Sequence, residues 1–259
     1  MKKSAFFYKT VLIVTVISSM FLSSCNKDEI VQFTSPNDIV GFVSLRDEFG
    51  NVLADQSGMK VTITNVSPAV DAFTDTNGKY LLSNIKGGTY NLSYLKKGFG
   101  EFKKLSISHL GGNVPSSLGN QNLWETAKTI VTDITATVGI DNSITISGKS
   151  SPVQPNGTSS SQQRRLRLFF GKNTGVTYLN YDATFNQLLI PAPAIGSNGD
   201  WSIKLSVANF SPLKSGDNIK ITAYGISPLE NAYTDINTNK VIYSGVNQTK
   251  SNEVSVALP

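Results

Sequence analysis

From residue 39 to 108 the chain is cut into short apolar segments by closely spaced turn signals, and no helical periodicity competes in that stretch. That pattern leaves an all-β construction as the economical solution. Lys60–Val66 alternates, with Val61 and Ile63 on one face and Thr62 and Thr64 on the other. Asn77-Gly78 supplies the positive φ values of a tight hairpin between strands expected at Ala69–Thr74 and Lys79–Ser83. Strands are expected next at Thr89–Leu95, with Tyr90, Leu92 and Tyr94 on one face, and at Glu101–Ser108.

A second series begins near Thr129. Its expected strands are Ser143–Ser147, Arg165–Phe170, Val176–Tyr181, Gln187–Ile190, Trp201–Val207, Asn218–Tyr224, Lys240–Tyr243 and Glu253–Leu258, with Trp201 entering the core. Residues 109–123 are rich in Gly, Ser and Asn, which suits a linker between a sandwich at 39–108 and another at 124–259. Ser150–Gln163 reads as a long polar loop, and 171–199 is long enough to hold an insertion.

The N terminus carries an address. Lys2, Lys3 and Lys9 precede the apolar run Val11–Leu22, too short and too polar to span a bilayer, as in a secretory signal occupying residues 1–24. Leu22-Ser23-Ser24-Cys25 resembles the lipobox of bacterial lipoproteins. That resemblance implies a diacylglycerol thioether on Cys25, the sole cysteine, with further acylation of the new amino terminus. The lipid bilayer then becomes a partner through the acyl chains. Residues 25–38 are the lipidated cysteine and its tether. Lys27, Asp28 and Glu29 resemble the acidic surface-export signal of Bacteroidetes lipoproteins, which implies display on the outer face of the outer membrane. The plain alternative is a polar tether on a periplasm-facing lipoprotein.

Gly41 to about Ser108 resembles the carboxypeptidase regulatory-like domain, a transthyretin-like β-sandwich. The resemblance rests on Gly41-Phe42-Val43, the turn Asp47–Asn51, Val61-Thr62-Ile63, Thr74–Tyr80 and Ile85–Tyr90. It implies structural roles: Gly78 and Asp75 in the turn, Tyr80 and Tyr90 in the core. No peptidase chemistry transfers with it. The second half resembles immunoglobulin-like or fibronectin-type-III-like modules in pattern alone.

Charge and composition bound the chemistry. Removing the three signal lysines takes the formal net charge from +5 to +2, which gives no dense basic face for nucleic acid. Arg164, Arg165 and Arg167 read as a solvated strand face. One Cys and one His argue against a structural zinc site, and no cofactor is expected. His109, the candidate base for a hydrolytic triad, reads as a surface or linker histidine. Asp47, Glu48, Asp75, Asp141, Asp200 and Asp217 sit mostly in turns. Asp235–Asn239 has calcium-loop spacing, but Lys240 stands where glycine is needed, so a hairpin turn is expected. These features point to a non-enzymatic binding or scaffolding lipoprotein of the cell envelope. The alternative is a carbohydrate-binding accessory protein, with Trp124, Tyr178 and Tyr181 as rings for stacking on sugar.

Overall fold

In the computed structural model, residues 37–112, 115–151, 164–189, 199–227, 229 and 231–259 are described, residues 186–189 by their backbone. Cys25, Lys27, Asp28 and Glu29 lie outside the described residues. The first half opens with β1 (Ile39–Arg46), whose alternation sends Ile39, Val43 and Leu45 inward. Then follow β2 (Lys60–Ile63), β3 (Val70–Phe73), β4 (Lys79–Leu82), β5 (Gly88–Leu95), β6 (Phe102–His109) and β7 (Ser116–Trp124). They form two sheets in the orders β4-β1-β7 and β3-β2-β5-β6, closing over one apolar core.

The motif residues behave as their chemistry requires. Gly78 has φ +80°, and a side chain there would run into the Val43 carbonyl. The Asp75 carboxylate accepts hydrogen bonds from the Asn77 and Lys79 amides, each at 2.9 Å. Tyr80 and Tyr94 share a hydroxyl–hydroxyl bond of 2.8 Å in the core, with rings edge to face at 5.9 Å. Burial raises both phenols, Tyr94 to about 12, so neither ionises at neutral pH.

The expected linker is a strand. β7 lies parallel to β1 along its length, from Ile39 opposite Ser116 to Arg46 opposite Trp124. Its alternation was hidden by a bulge at Gly119 (φ +66°), which shifts register between Val40 and Phe42 and breaks the two-residue period. It is polar because it sits at a sheet edge, with Ser117, Asn120 and Asn122 toward solvent.

The second half contains β8 (Ile130–Val138), β9 (Ile144–Ser151), β10 (Arg165–Gly171), β11 (Ala183–Leu189), β12 (Gly199–Leu205), β13 (Asn218–Ile226), β14 (Ala232–Thr234), β15 (Val241–Tyr243) and β16 (Val254–Ala257). Sheets β11-β10-β13-β16 and β12-β9-β8 enclose a core of Ile146, Leu168, Phe170, Trp201, Ile221 and their neighbours. Val176–Tyr181 is a turn rather than the expected strand. Thr177 and Asn180 exchange backbone hydrogen bonds, and the strand comes later, at Ala183–Leu189.

Strands β10 and β13 are covered on both faces. Leu166, Leu168 and Phe170 enter the inter-sheet core. Phe169, Tyr224 and Ile226 face the other way, into an aromatic layer with Tyr178, Tyr181 and Tyr243. Two-sided burial corrects the expectation of a solvated arginine face. Arg167 is 6% exposed, with its guanidinium 4.0 Å from the centre of the Tyr243 ring. Arg164 is equally buried, while Arg165 is half-buried.

The halves meet in a polar seam and belong to one compact unit. Glu48 receives the Lys128 amide at 2.8 Å and pairs with Arg164 at 3.4 Å, both carboxylate and guanidinium being under a tenth exposed. Arg164 also donates to Thr129 Oγ1 at 3.1 Å and lies over the Phe49 ring. Gly225 lets β13 pass where any side chain would strike the Thr129 carbonyl. Nearby, the Ala127 amide donates to the Gly245 carbonyl, and the Asn247 side chain donates back to the Ala127 carbonyl at 2.9 Å.

Candidate functional site

A groove of about 280 Å³ opens at this seam. Asn120, Gln121, Asn122 and Trp124 of β7 form one wall, Phe102 of β6 contributes to the lining, and Leu229, Asn231 and Ala232 close the far side. Asn231 organises it. Its side-chain carbonyl accepts the Trp124 amide at 2.9 Å, and its NH₂ donates to the Trp124 carbonyl at 2.7 Å. One carboxamide thus satisfies both backbone groups of a strand residue, as a neighbouring strand would. Asn231 adopts φ +45° and is buried, so the clamp is held from its own side as well.

Trp124 is 7% exposed, and Arg46 stacks over its ring at 5.4 Å. Phe102 is half-buried between Tyr94 at 5.8 Å and the edge of Tyr233 at 6.4 Å. The groove therefore offers amides, backbone and ring edges rather than an open aromatic face.

The other two aromatics singled out in the sequence lie elsewhere, in the layer over β10 and β13. Tyr181 is 9% exposed; its ring packs on Phe169 at 5.2 Å and its hydroxyl donates to the Val241 carbonyl at 2.7 Å. Burial pushes its phenol up to about 12. Tyr178 is half-buried, packing edge to face on Tyr224 at 5.6 Å. Trp124, Tyr178 and Tyr181 are thus not gathered into one site.

His109 is not a surface residue. It is 2% exposed at the end of β6, with Nδ1 2.7 Å from Ser116 Oγ and Nε2 2.9 Å from the Ile85 carbonyl. A carbonyl only accepts, so Nε2 is the donor toward Ile85, while the Ser116 hydroxyl can pair with Nδ1 in either sense. The imidazole ties β6 to β7 and to the segment after β4, and both its nitrogens are engaged in doing so.

Asp47, Asp75, Asp141 and Asp217 bond turn amides as expected, whereas Glu48 is buried in the seam and Asp200 lies in β12. Asp235 accepts the Asn237 and Thr238 amides at 3.1 and 2.9 Å in the β14–β15 hairpin, and these bonds lower its carboxyl below the usual range. Among the described residues no group of three His, Cys, Asp or Glu side chains is placed to hold a metal. A wider depression of about 470 Å³ lies on β8, β9 and β12, lined by Asp133, Thr135, Ser147, Lys149, Asp200 and Ser202 among others. These are the outward members of each strand's alternation, and Ser147 and Ser202 already bond each other at 2.8 Å.

No family model matches this chain. Nor does any curated protein sequence. Solved structures of low similarity do. A cohesin–X-dockerin complex from Acetivibrio cellulolyticus aligns at 17% identity and TM-score 0.29, over 34% of this chain and 58% of that one. A DUF3823 family protein from Bacteroides ovatus aligns at 14% identity and TM-score 0.33, over 86% of this chain and 98% of that one. The major pilin SpaD of Corynebacterium diphtheriae aligns at 16% identity and TM-score 0.29, over 88% and 68%. The chain thus spans little more than half of the cohesin–dockerin chain. These likenesses place it in no family.

Proposed function

We propose that this chain is a lipid-anchored binding and scaffolding module of the bacterial cell envelope, displayed at the outer membrane by an acylated Cys25. The observation that supports a scaffold is the seam. Glu48, Arg164 and Asn231 fasten two sandwiches into one body, so a surface on one half is held in a fixed place relative to the other. A protein partner suits the groove better than a glycan, because the rings of Trp124 and Tyr181 are covered and cannot lie flat on a sugar.

The anchor is tested by metabolic labelling with a fatty-acid analogue. Wild type should take up label and sediment with membranes, and Cys25→Ala should do neither. Equal label on both chains would overturn the reading. Replacing Lys27, Asp28 and Glu29 by Ala should keep the label but reduce cleavage by protease added to intact cells.

A further inference from the structure

We infer that the outer edge of β7 is a strand-addition site for an extended peptide of a protein partner. This rests on the binding-module reading and names the occupant of its groove. Strand β7 is the last strand of the order β4-β1-β7, so one side of its backbone faces away from the sheet. The Glu125 amide bonds to Arg46 of β1, whereas the Trp124 amide turns outward to Asn231. Alternation then turns the backbone amides of Asn122 and Asn120 outward too, and both residues are exposed.

Edge strands are normally protected by bulges, charge or proline. The protection of β7 is confined to its first part. Gly119 makes the bulge, and Lys104 reaches the Leu118 carbonyl at 3.3 Å. From Asn120 to Leu123 the strand carries no charge and no proline. Among the described residues the outward carbonyl of Asn122 accepts the half-buried Gln121 side chain, at 3.2 Å, a bond readily exchanged for a backbone donor.

The next outward position, Trp124, shows what the edge accepts: a planar amide giving one donor and one acceptor, supplied by Asn231. An incoming strand would continue that pairing at Asn122 and Asn120. One of its side chains would enter the groove beside Phe102 and Leu229, which selects an apolar residue at that place. A sugar would instead use the Asn120 and Asn122 side chains, since ring stacking is closed to it.

The experiment separates these. A displayed library of random peptides of about ten residues is panned on the full-length chain in detergent, with counter-selection on Asn122→Pro. Proline removes the outward amide while leaving the ladder to β1 intact, because that amide does not point toward β1. Selected peptides should bind Asn122→Ala within about threefold of wild type and Asn122→Pro at least about tenfold more weakly. N-methylation of alternate peptide amides should abolish binding to the wild type, a control that needs no variant to fold. Three results would overturn the inference: no peptide distinguishing wild type from Asn122→Pro; equal loss with Asn122→Ala, which assigns recognition to the side-chain amide; or self-association abolished by Asn122→Pro, which makes a second copy the occupant. A chain that is acylated and membrane-bound yet captures no peptide fails this inference and leaves the anchor standing.

Discussion

The two sandwiches bury their tyrosines differently. In the first, Tyr80 and Tyr94 meet in a single core and satisfy each other's hydroxyls. In the second, the aromatic residues of β10 and β13 divide between two layers, and Phe169 on the outer one touches Tyr181, Tyr224 and Tyr243 at 5.2, 5.5 and 5.9 Å. Extra cover on the central sheet shields its strands and accommodates Arg167 beneath an aromatic roof. Among the described residues the first half has no such layer over β4-β1-β7, and there the edge of β7 is open. A second layer on one sheet thus decides where a strand can bury an arginine.

The comparison can be broken most severely at Phe169. Phe169→Ala empties the centre of the outer aromatic layer and should cost about 3–5 kcal/mol, as for other buried aromatic truncations. Chemical denaturation with tryptophan fluorescence would measure it. A loss below about 1 kcal/mol would mean that the outer layer is not tightly packed. Glu48→Ala tests whether the halves act separately. It strands the Arg164 guanidinium in the seam and should cost about 3 kcal/mol. Because Glu48 belongs to the first half and Arg164 to the second, hydrogen exchange should rise on both sides, at β7 and at β10. A rise confined to one half would show that the seam transmits nothing. Gly78→Val tests the first sandwich alone, through positive φ and the Val43 carbonyl, at about 1–3 kcal/mol. With the seam intact, unfolding should remain one cooperative transition, and limited proteolysis should release no stable fragment beginning near residue 124.

Much of this architecture is written locally. The alternation of β2 and β5 and the inward Trp201 need only neighbouring residues, and the structure agrees with the sequence there. The Asp75–Gly78 turn forms too, with positive φ at Gly78 and not at Asn77, but it joins β3 and β4 in different sheets instead of closing the expected hairpin. Strand β7 was illegible because one bulge at Gly119 hides its period and its pairing partner lies at the start of the chain. The burial of Arg164 and His109 was illegible for a related reason. A polar side chain is buried when it finds a partner, and Glu48 is 116 residues from Arg164, Ile85 24 residues from His109. The groove followed the same rule. Trp124 was visible as an aromatic, but Asn231, 107 residues away, defines its surroundings. A scan for ring residues passes over an asparagine acting as backbone.

The parallel pairing of β1 with β7 has a mechanical consequence. Under the proposed N-terminal anchoring, a pull reaches the described body at Asn37 and Asp38, whose carbonyls bond the Ile85 and Ser116 amides, and passes directly into β1. Strand β1 lies between β4 and β7 and is bonded to both. Tension along β1 loads those ladders in shear, so their hydrogen bonds share the force and must yield together rather than one after another. With the proposed anchor in place, a partner gripping the edge of β7 would be joined to it chiefly through the β1–β7 ladder, while the Asn231 clamp on Trp124 would pass part of the load to the second sandwich.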